Sequence, residues 1–138
     1  MDLLARREHS RLELRRKLSR RYADENLEAV LDTLAEEGLQ SDVRFAEGFA
    51  RDKALRGIGP LRIERELLER GVSGSVAGNA LRTLVDEEGV QWRLVARDAL
   101  TKKFGDANMP EVFEERARRL RFLQYRGFGS EDFAVEVE

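Results

Sequence analysis

The sequence predicts an all-α protein built as an elongated array of three tandem three-helix repeats, with about nine helices. Apolar residues recur at helical spacing along almost the whole chain, as in Leu27, Val30, Leu31 and Leu34. Leu, Ala, Glu and Arg are abundant, and the 138 residues include only two prolines. Glycines interrupt the chain at intervals that suit the ends of short helices.

Local signals place the ends of these helices. Ser10 and Glu13 have the S-x-x-E spacing of a capping box, so a new helix begins after Ser10. Gly38 is typical of the residue that follows a helix, and Asp42 is expected to cap the next one. Pro60 suits a first helical turn, because its missing N–H is not needed there. The predicted helices span residues 3–8, 11–21, 24–37, 42–57, 60–70, 73–88, 91–104, 111–126 and 130–137.

The apolar residues of the last predicted helix fit either a strand or a helix. Phe133, Val135 and Val137 alternate as in a strand, whereas Phe133, Ala134 and Val137 fit a helix. We predict a helix because the sequence offers no second strand with which it could pair.

An internal repeat divides the helices into three triplets. Laying residues 14–37 on residues 64–87 superimposes their apolar positions with a period of about 50 residues. The phrase "RGFGS" from Arg126 repeats "RGVSGS" from Arg70 after a shift of 56, and each phrase is predicted to join two helices of a repeat. The predicted repeats cover residues 1–38, 39–89 and 90–138.

The composition argues against an enzyme, a metal protein and a membrane protein. The absence of cysteine excludes disulfides and thiolate zinc sites. His9 is the only histidine, and its neighbour in sequence, Ser10, cannot form a hydrolytic triad with it. No phosphate-binding loop is present, and no apolar window reaches the roughly 18 residues of a membrane span. The start of the chain has no apolar signal segment. We therefore expect no catalytic residue, no metal, no cofactor and a cytoplasmic location.

Charge is distributed unevenly along the chain, although the net charge is only −2. Residues 1–21 carry +5, residues 22–115 carry −8 and residues 116–138 carry +1. A basic end can attract phosphates or an acidic protein, whereas the acidic middle would repel a nucleic acid laid along the whole chain.

The basic residues near the start have two interpretations. Arg7, Arg11 and Arg15 are spaced i, i+4, i+8, and Lys17 with Arg21 forms a second row, so a continuous helix would align them. They either contact phosphates or belong to a solvated helix whose arginine stems cover apolar surface. Near the other end, Phe122, Tyr125 and Phe128 form either a stacking surface or the edge of a core.

Four stretches resemble a known family in both order and spacing. They are "LARREHSRLELRRKL" from Leu4, "GLQSDVRFAEGFARDKA" from Gly38, "GIGPLRIERELLERGV" from Gly57 and "RRLRFLQYRGFGSEDF" from Arg118. Over nearly its whole length the chain resembles the RecX regulatory proteins, which modulate the RecA recombinase.

This resemblance implies a non-enzymatic regulator that lies in the groove of the RecA filament on single-stranded DNA. It implies inhibition of ATP hydrolysis, strand exchange and coprotease stimulation, and a weak direct DNA contact. The partner contacts carried over from the family are Arg7, Arg11, Arg15, Lys17, Arg51, Lys53, Lys102, Lys103, Arg119, Arg121 and Arg126. The architectural positions are Ser10, Glu13, Gly59, Pro60, Gly71, Gly127 and Phe128.

Two alternatives accompany this interpretation. The basic start of the chain also fits a helical module that binds DNA directly. The end of the array would expose Phe133 and Val137, so we expect either a monomer or a weak dimer in which a second copy covers them.

Overall fold

The computed structural model describes residues 7–133, and all regular secondary structure in this part of the chain is α-helical. The prediction of an all-α fold is therefore confirmed. The helices are α1 (Arg11–Leu18), α2 (Asp24–Glu36), α3 (Asp42–Leu55), α4 (Pro60–Glu69), α5 (Gly74–Asp86), α6 (Trp92–Phe104), α7 (Phe113–Arg126) and α8 (Ser130–Phe133).

The helix bounds differ from the prediction mainly at the two ends of the chain. The predicted helix over 3–8 is wrong at Arg7 and Glu8, which are not helical, and its other residues lie outside the described part. Helix α1 ends at Leu18 rather than at residue 21, so Arg20 and Arg21 lie in a turn. The last predicted helix is confirmed over residues 130–133, and its remainder lies outside the described residues.

The cap of α3 also differs from the prediction. Ser41, not Asp42, is the N-cap, and its hydroxyl accepts a hydrogen bond from the Arg44 N–H at 3.2 Å. The Asp42 carboxylate accepts instead from the Arg11 N–H at 2.9 Å and from the Gln40 amide at 3.0 Å. Arg11 begins α1, where the first amides have no partner within their own helix. Asp42 therefore caps a helix of the preceding repeat.

Within residues 7–133, three separate clusters of buried apolar side chains follow one another along the chain. The first draws on residues 14–34, the second on residues 45–84 and the third on residues 96–128. Trp92 packs against both the second and the third cluster. Each cluster is built by the helices of one repeat, as expected for a repeat array in which a unit contacts its neighbours. The tandem three-helix organisation is confirmed, whereas the boundaries at residues 38/39 and 89/90 stay predictions.

The first and second repeats dock through the turn that follows α4. Ser10 is the N-cap of α1, and its hydroxyl donates to the Arg70 carbonyl at 2.7 Å. Gly71 follows with φ +83°, and a Cβ at this position would lie 2.6 Å from the Leu12 Cβ. This approach leaves no room for a side chain at position 71, because real Cβ atoms do not come so close to a neighbouring side chain.

The second and third repeats dock in the same way, through the turn that follows α7. The Gly59 N–H donates to the Arg126 carbonyl at 2.7 Å, and the Leu61 N–H donates to the Gly127 carbonyl at 3.0 Å. Gly127 has φ +98°, and a Cβ here would overlap the Arg62 Cβ and lie 2.7 Å from the Arg62 nitrogen. The repeated Arg-Gly phrase therefore marks the contact between one repeat and the repeat before it.

Candidate partner interface at the repeat junction

The arginine stripe predicted on α1 is largely paired with acidic residues of α2. The Arg11 guanidinium lies 2.7 Å from the Asp32 carboxylate and 3.1 Å from the Glu28 carboxylate. Arg15 reaches Glu28 at 2.9 Å. Hydrogen bonds from Arg15 and Arg11 lower the pKa of the Glu28 carboxyl. These ion pairs link α1 to α2 and set two carboxylates beside the arginines, which reduces the net positive charge that an outside anion would meet.

Arg7 and Lys17 also have partners within the first repeat. Arg7 donates to the Glu13 carboxylate at 3.2 Å. The Lys17 ammonium lies 3.1 Å from Nε2 of the buried His9, whose Nδ1 is 3.1 Å from the Arg7 carbonyl. Burial, followed by the positive charges of Arg7 and Lys17, lowers the pKa of His9. A neutral imidazole fits this site, with Nδ1–H donating to the carbonyl and Nε2 accepting from Lys17.

The two basic residues predicted on α3 are likewise used inside their own repeat. Arg51 makes a bidentate pair with Glu88, at 2.8 Å for both bonds, and so ties α3 to the turn that follows α5. Lys53 lies 3.6 Å from Glu66 of α4 and 5.3 Å from the centre of the Phe49 ring. Both side chains connect helices of the second repeat.

Arg119 occupies a buried position, so we remove it from the candidate interface. Its side chain is only 9% exposed, and its guanidinium donates to the Asp106 carboxylate at 2.7 Å and the Asn108 carbonyl at 3.0 Å. The same group lies 4.7 Å from the centre of the Phe104 ring. Arg119 therefore fixes the long linker between α6 and α7 to the core of the third repeat.

The remaining predicted contacts, Lys102, Lys103, Arg121 and Arg126, lie on α6 and α7 of the third repeat. Lys103 and Arg121 are exposed and form no ion pair within residues 7–133. Lys102 pairs only with the exposed Asp98, one helical turn earlier, at 3.1 Å. Arg126 is half-buried at the second junction.

A basic cleft of about 220 Å³ lies where the second and third repeats meet. The turn that follows α3 contributes Arg56 and Gly57, and α6 contributes Lys102 and Lys103. Arg126 closes it from α7, donating to the Arg56 carbonyl at 3.2 Å. Gly57 has φ +80°, which turns the chain at this point so that the carbonyls at the end of α3 face Arg126.

The cleft carries an excess of positive charge. It is lined by four cationic side chains and one carboxylate, that of Asp98. Arg56 also pairs at its outer side with Asp52, at 3.3 Å, and both groups are exposed. Exposed ion pairs of this kind contribute roughly 0–1 kcal/mol, so an incoming anion can displace them at little cost. The cleft is therefore suited to anionic groups.

Three exposed arginines, Arg16, Arg20 and Arg56, are absent from the predicted contacts, and Arg21 is predicted only as part of the row with Lys17. Arg56 lines the cleft, and it could have been found from its place in the Gly-rich turn after α3. Arg16, Arg20 and Arg21 are exposed at the end of α1 and form no ion pair in the described part of the chain. Arg16 and Arg20 have the same i, i+4 spacing as Arg11 and Arg15, so the spacing that predicts the latter pair applies equally to them.

The aromatic residues of α7 divide between core and surface. Phe128 is buried in the third core, and Phe122 packs edge-to-face on Phe104 with ring centres 5.4 Å apart. Tyr125 is 73% exposed, and the Arg62 guanidinium lies 5.1 Å from the centre of its ring. Tyr125 is thus the one outward aromatic of this set, so the three rings do not form a common stacking surface.

The described residues contain no group of three or more His, Cys, Asp or Glu side chains arranged to hold a metal ion. Within the same residues, no helix has the length and apolar character needed to cross a membrane.

Comparison with protein families identifies two of the three repeats. The family model described as "RecX, second three-helix domain" matches residues 41–81, and the one described as "RecX, third three-helix domain" matches residues 95–133. Together these matches cover more than half of the chain.

Relatives and solved structures agree with this match. The chain is 48% identical to "Regulatory protein RecX" of Pseudomonas fluorescens over 93% of this chain and 80% of the relative. It is 45% identical to the protein of the same name from Ectopseudomonas mendocina, over 93% of this chain and 83% of the relative.

Two crystal structures share the fold. One, described as regulatory protein RecX, has a TM-score of 0.79 at 22% identity and is matched over 97% of this chain and 67% of its own. The other, RecX from Lactobacillus salivarius, has a TM-score of 0.76 at 19% identity, over 99% and 88%. With close relatives aligned over most of both sequences, the chain belongs to the RecX family of regulatory proteins.

Proposed function

We propose that the chain is a non-enzymatic regulator that binds the RecA filament on single-stranded DNA, lies in its groove and inhibits RecA. The inhibited activities would be ATP hydrolysis, strand exchange and coprotease stimulation. Membership of the RecX family and the charge of the second junction support this proposal.

One structural observation carries the proposal: the two junctions use the same acceptor, although the donor is the Ser10 hydroxyl in the first and the Gly59 N–H in the second. In each junction the carbonyl of the arginine that precedes a positive-φ glycine accepts a hydrogen bond from the repeat before it. A chain of units joined in this way presents its surface groups at fixed spacing. Many moderate contacts can then add along a helical groove without one deep pocket.

The proposed contact surface is the basic cleft at the second junction, with its cationic residues Arg56, Lys102, Lys103 and Arg126. We add Arg121 as an exposed basic residue of α7 that lies outside the cleft lining. Arg11, Arg15, Arg51 and Lys53 are given structural roles by their ion pairs, so we expect their replacement to act first on stability.

The proposal is tested by following ATP hydrolysis by RecA on single-stranded DNA while this protein is added. We expect the rate to fall at substoichiometric amounts of the protein, because one elongated molecule contacts several positions of a filament. A parallel titration without RecA should show no hydrolysis. An unchanged RecA rate at equimolar protein, with circular dichroism confirming the helical fold, would overturn the proposal.

A second candidate function is direct DNA binding through the first repeat. Its specific support is the exposed group Arg16, Arg20 and Arg21, which has no ion-pair partner within residues 7–133. Binding to a single-stranded oligonucleotide in the absence of RecA should then weaken steeply with salt. Replacing Arg20 and Arg21 by glutamate should reduce the slope of log K against log salt by roughly 0.7 for each lost phosphate contact. A slope that does not change in this variant argues against the first repeat as a DNA site.

A further inference from the structure

An apolar hollow adjoins the basic cleft at the second junction. It has a volume of about 360 Å³ and is lined by Ala54, Leu55, Leu84, Val90, Leu94 and Val95. The ion pair between Arg51 and Glu88 stands at its rim. Leu55 is 78% exposed and Leu94 is 49% exposed. Leucines so exposed beside a hollow leave apolar surface in water that a bound apolar side chain would cover.

The hollow and the cleft follow one another along a single seam between α3 and α6. Leu55 precedes Arg56 in the chain, and these two residues line the hollow and the cleft respectively. On α6, Leu94 and Lys102 are eight residues apart, which places them about 12 Å apart along the helix axis. We call this surface the α3–α6 seam, apolar at Leu55 and Leu94 and basic at Arg56, Lys102, Lys103 and Arg126.

We propose that the α3–α6 seam binds an extended acidic peptide segment with one apolar anchor. The anchor would fill the hollow, and carboxylates would lie in the basic cleft. An extended chain advances about 3.3 Å per residue, so the carboxylates should be centred about four residues from the anchor. Four cationic groups facing one carboxylate give the charge complementarity that selects an acidic segment.

The lining of the seam favours a peptide over a nucleic acid. Single-stranded nucleic acids bind through aromatic side chains on which bases stack, and the residues that line the hollow include no aromatic one. The only cation that lines the hollow, Arg51, is paired with Glu88, so this half of the seam offers no unpaired cation to a continuous phosphate backbone. The proposed peptide segment carries its negative charge at one end and its apolar side chain at the other, so its two ends match the two halves of the seam.

This inference goes beyond the proposed function, because it names the ligand chemistry of one surface and does not require RecA as the source of the peptide. Its test contains no RecA. Inhibition of RecA without peptide binding would support the proposed function and overturn this inference. Peptide binding without inhibition of RecA would support this inference and overturn the proposed function.

The probe is a fluorescein-labelled peptide of about ten residues, with one leucine and a run of glutamates centred about four positions after it. A second probe has the reversed order, because the seam can be read in either direction. Control peptides replace the leucine by serine, replace the glutamates by glutamine, or double the spacing between the two. Binding is followed by fluorescence anisotropy, with a thymidine oligonucleotide as competitor.

Two variants address the two halves of the seam, and each has a matched control. Leu94→Ser and Lys103→Glu should each raise the Kd of the better probe by about tenfold. Leu68→Ser, at a leucine of nearly equal exposure on α4, and Arg20→Glu, in the first repeat, should change it by less than about twofold. All four positions are exposed, so the fold should be retained.

The inference is supported if one probe binds saturably, needs both its leucine and its glutamates, and responds to both seam variants. It is overturned if neither probe binds, if binding ignores Leu94→Ser and Lys103→Glu, or if the double-spaced peptide binds equally well. Displacement of the probe by the oligonucleotide at equal concentration would also overturn it, since the seam would then be a nucleic-acid site.

Discussion

Replacing Gly127 by alanine should separate the third repeat from the second. Gly127 ends α7 with φ +98° and lies against the start of α4, with a hypothetical Cβ only 2.7 Å from the Arg62 nitrogen. The new methyl group cannot be accommodated without moving backbone. The contacts at risk are the bonds from the Gly59 and Leu61 N–H groups to the Arg126 and Gly127 carbonyls.

The expected cost has two parts. An alanine in the left-handed region is destabilised by about 1–2 kcal/mol relative to a right-handed residue. Each backbone hydrogen bond that is weakened adds about 1 kcal/mol, so Gly127→Ala should lower the free energy of unfolding by about 3–4 kcal/mol. Replacing glycine by alanine also lowers the conformational entropy of the unfolded chain, which raises the free energy of unfolding. This gain is the same for any glycine-to-alanine change, so it cancels when two such variants are compared.

The matched control is Gly105→Ala in the same repeat. Gly105 also ends a helix with positive φ, +95°, but nothing lies within 4 Å of a Cβ at that position. Gly105→Ala should therefore lower the free energy of unfolding only by the cost of the left-handed backbone conformation, about 1–2 kcal/mol. Urea unfolding followed by circular dichroism measures both. If the two variants differ by less than about 0.5 kcal/mol, the junction does not depend on close approach at Gly127, and the reasoning is refuted.

Two further predictions concern His9 and Arg119. Because the pKa of His9 is lowered from 6.5, the folded state binds a proton less readily than the unfolded chain. The His9 contribution to stability should therefore be fully present above pH 6.5 and should fall as the pH drops from 6.5 towards the folded pKa. Urea unfolding at several pH values should show this fall in the native protein but not in His9→Gln. Arg119→Ala should lower the free energy of unfolding by about 2–3 kcal/mol through loss of its bonds to Asp106 and Asn108, whereas Arg121→Ala, on the same helix but exposed, should change it by less than about 0.5 kcal/mol in the same assay.

Most of the fold could be predicted because its signals are local. Helical spacing of apolar residues, Pro60 at a first turn and glycines at helix ends all act within a few residues. The cap of α3 was misassigned because Ser41 and Asp42 are both good N-cap residues. The choice between them depends on Arg11, which is distant in sequence and draws the Asp42 carboxylate to another helix.

The candidate interface could be predicted only in part, since an arginine's role depends on which acid lies opposite. Arg11 and Arg15 meet Glu28 and Asp32 only when α1 packs on α2. Arg119 did carry a local signal: it lies four residues before the buried Leu123 and therefore on the same, inward face of α7. The α3–α6 seam has no local signal, because its two sides come from different repeats.

The most direct test of the regulatory role is ATP hydrolysis by RecA on single-stranded DNA, measured with the native protein and with Lys102→Glu/Lys103→Glu. Arg65→Glu, an exposed arginine on α4 that has no ion pair within residues 7–133, is the control. We predict that the native protein and the control inhibit at substoichiometric amounts, and that the double variant requires about tenfold more protein. Equal inhibition by all three proteins would contradict the assigned surface, and no inhibition by the native protein would contradict the regulatory role itself.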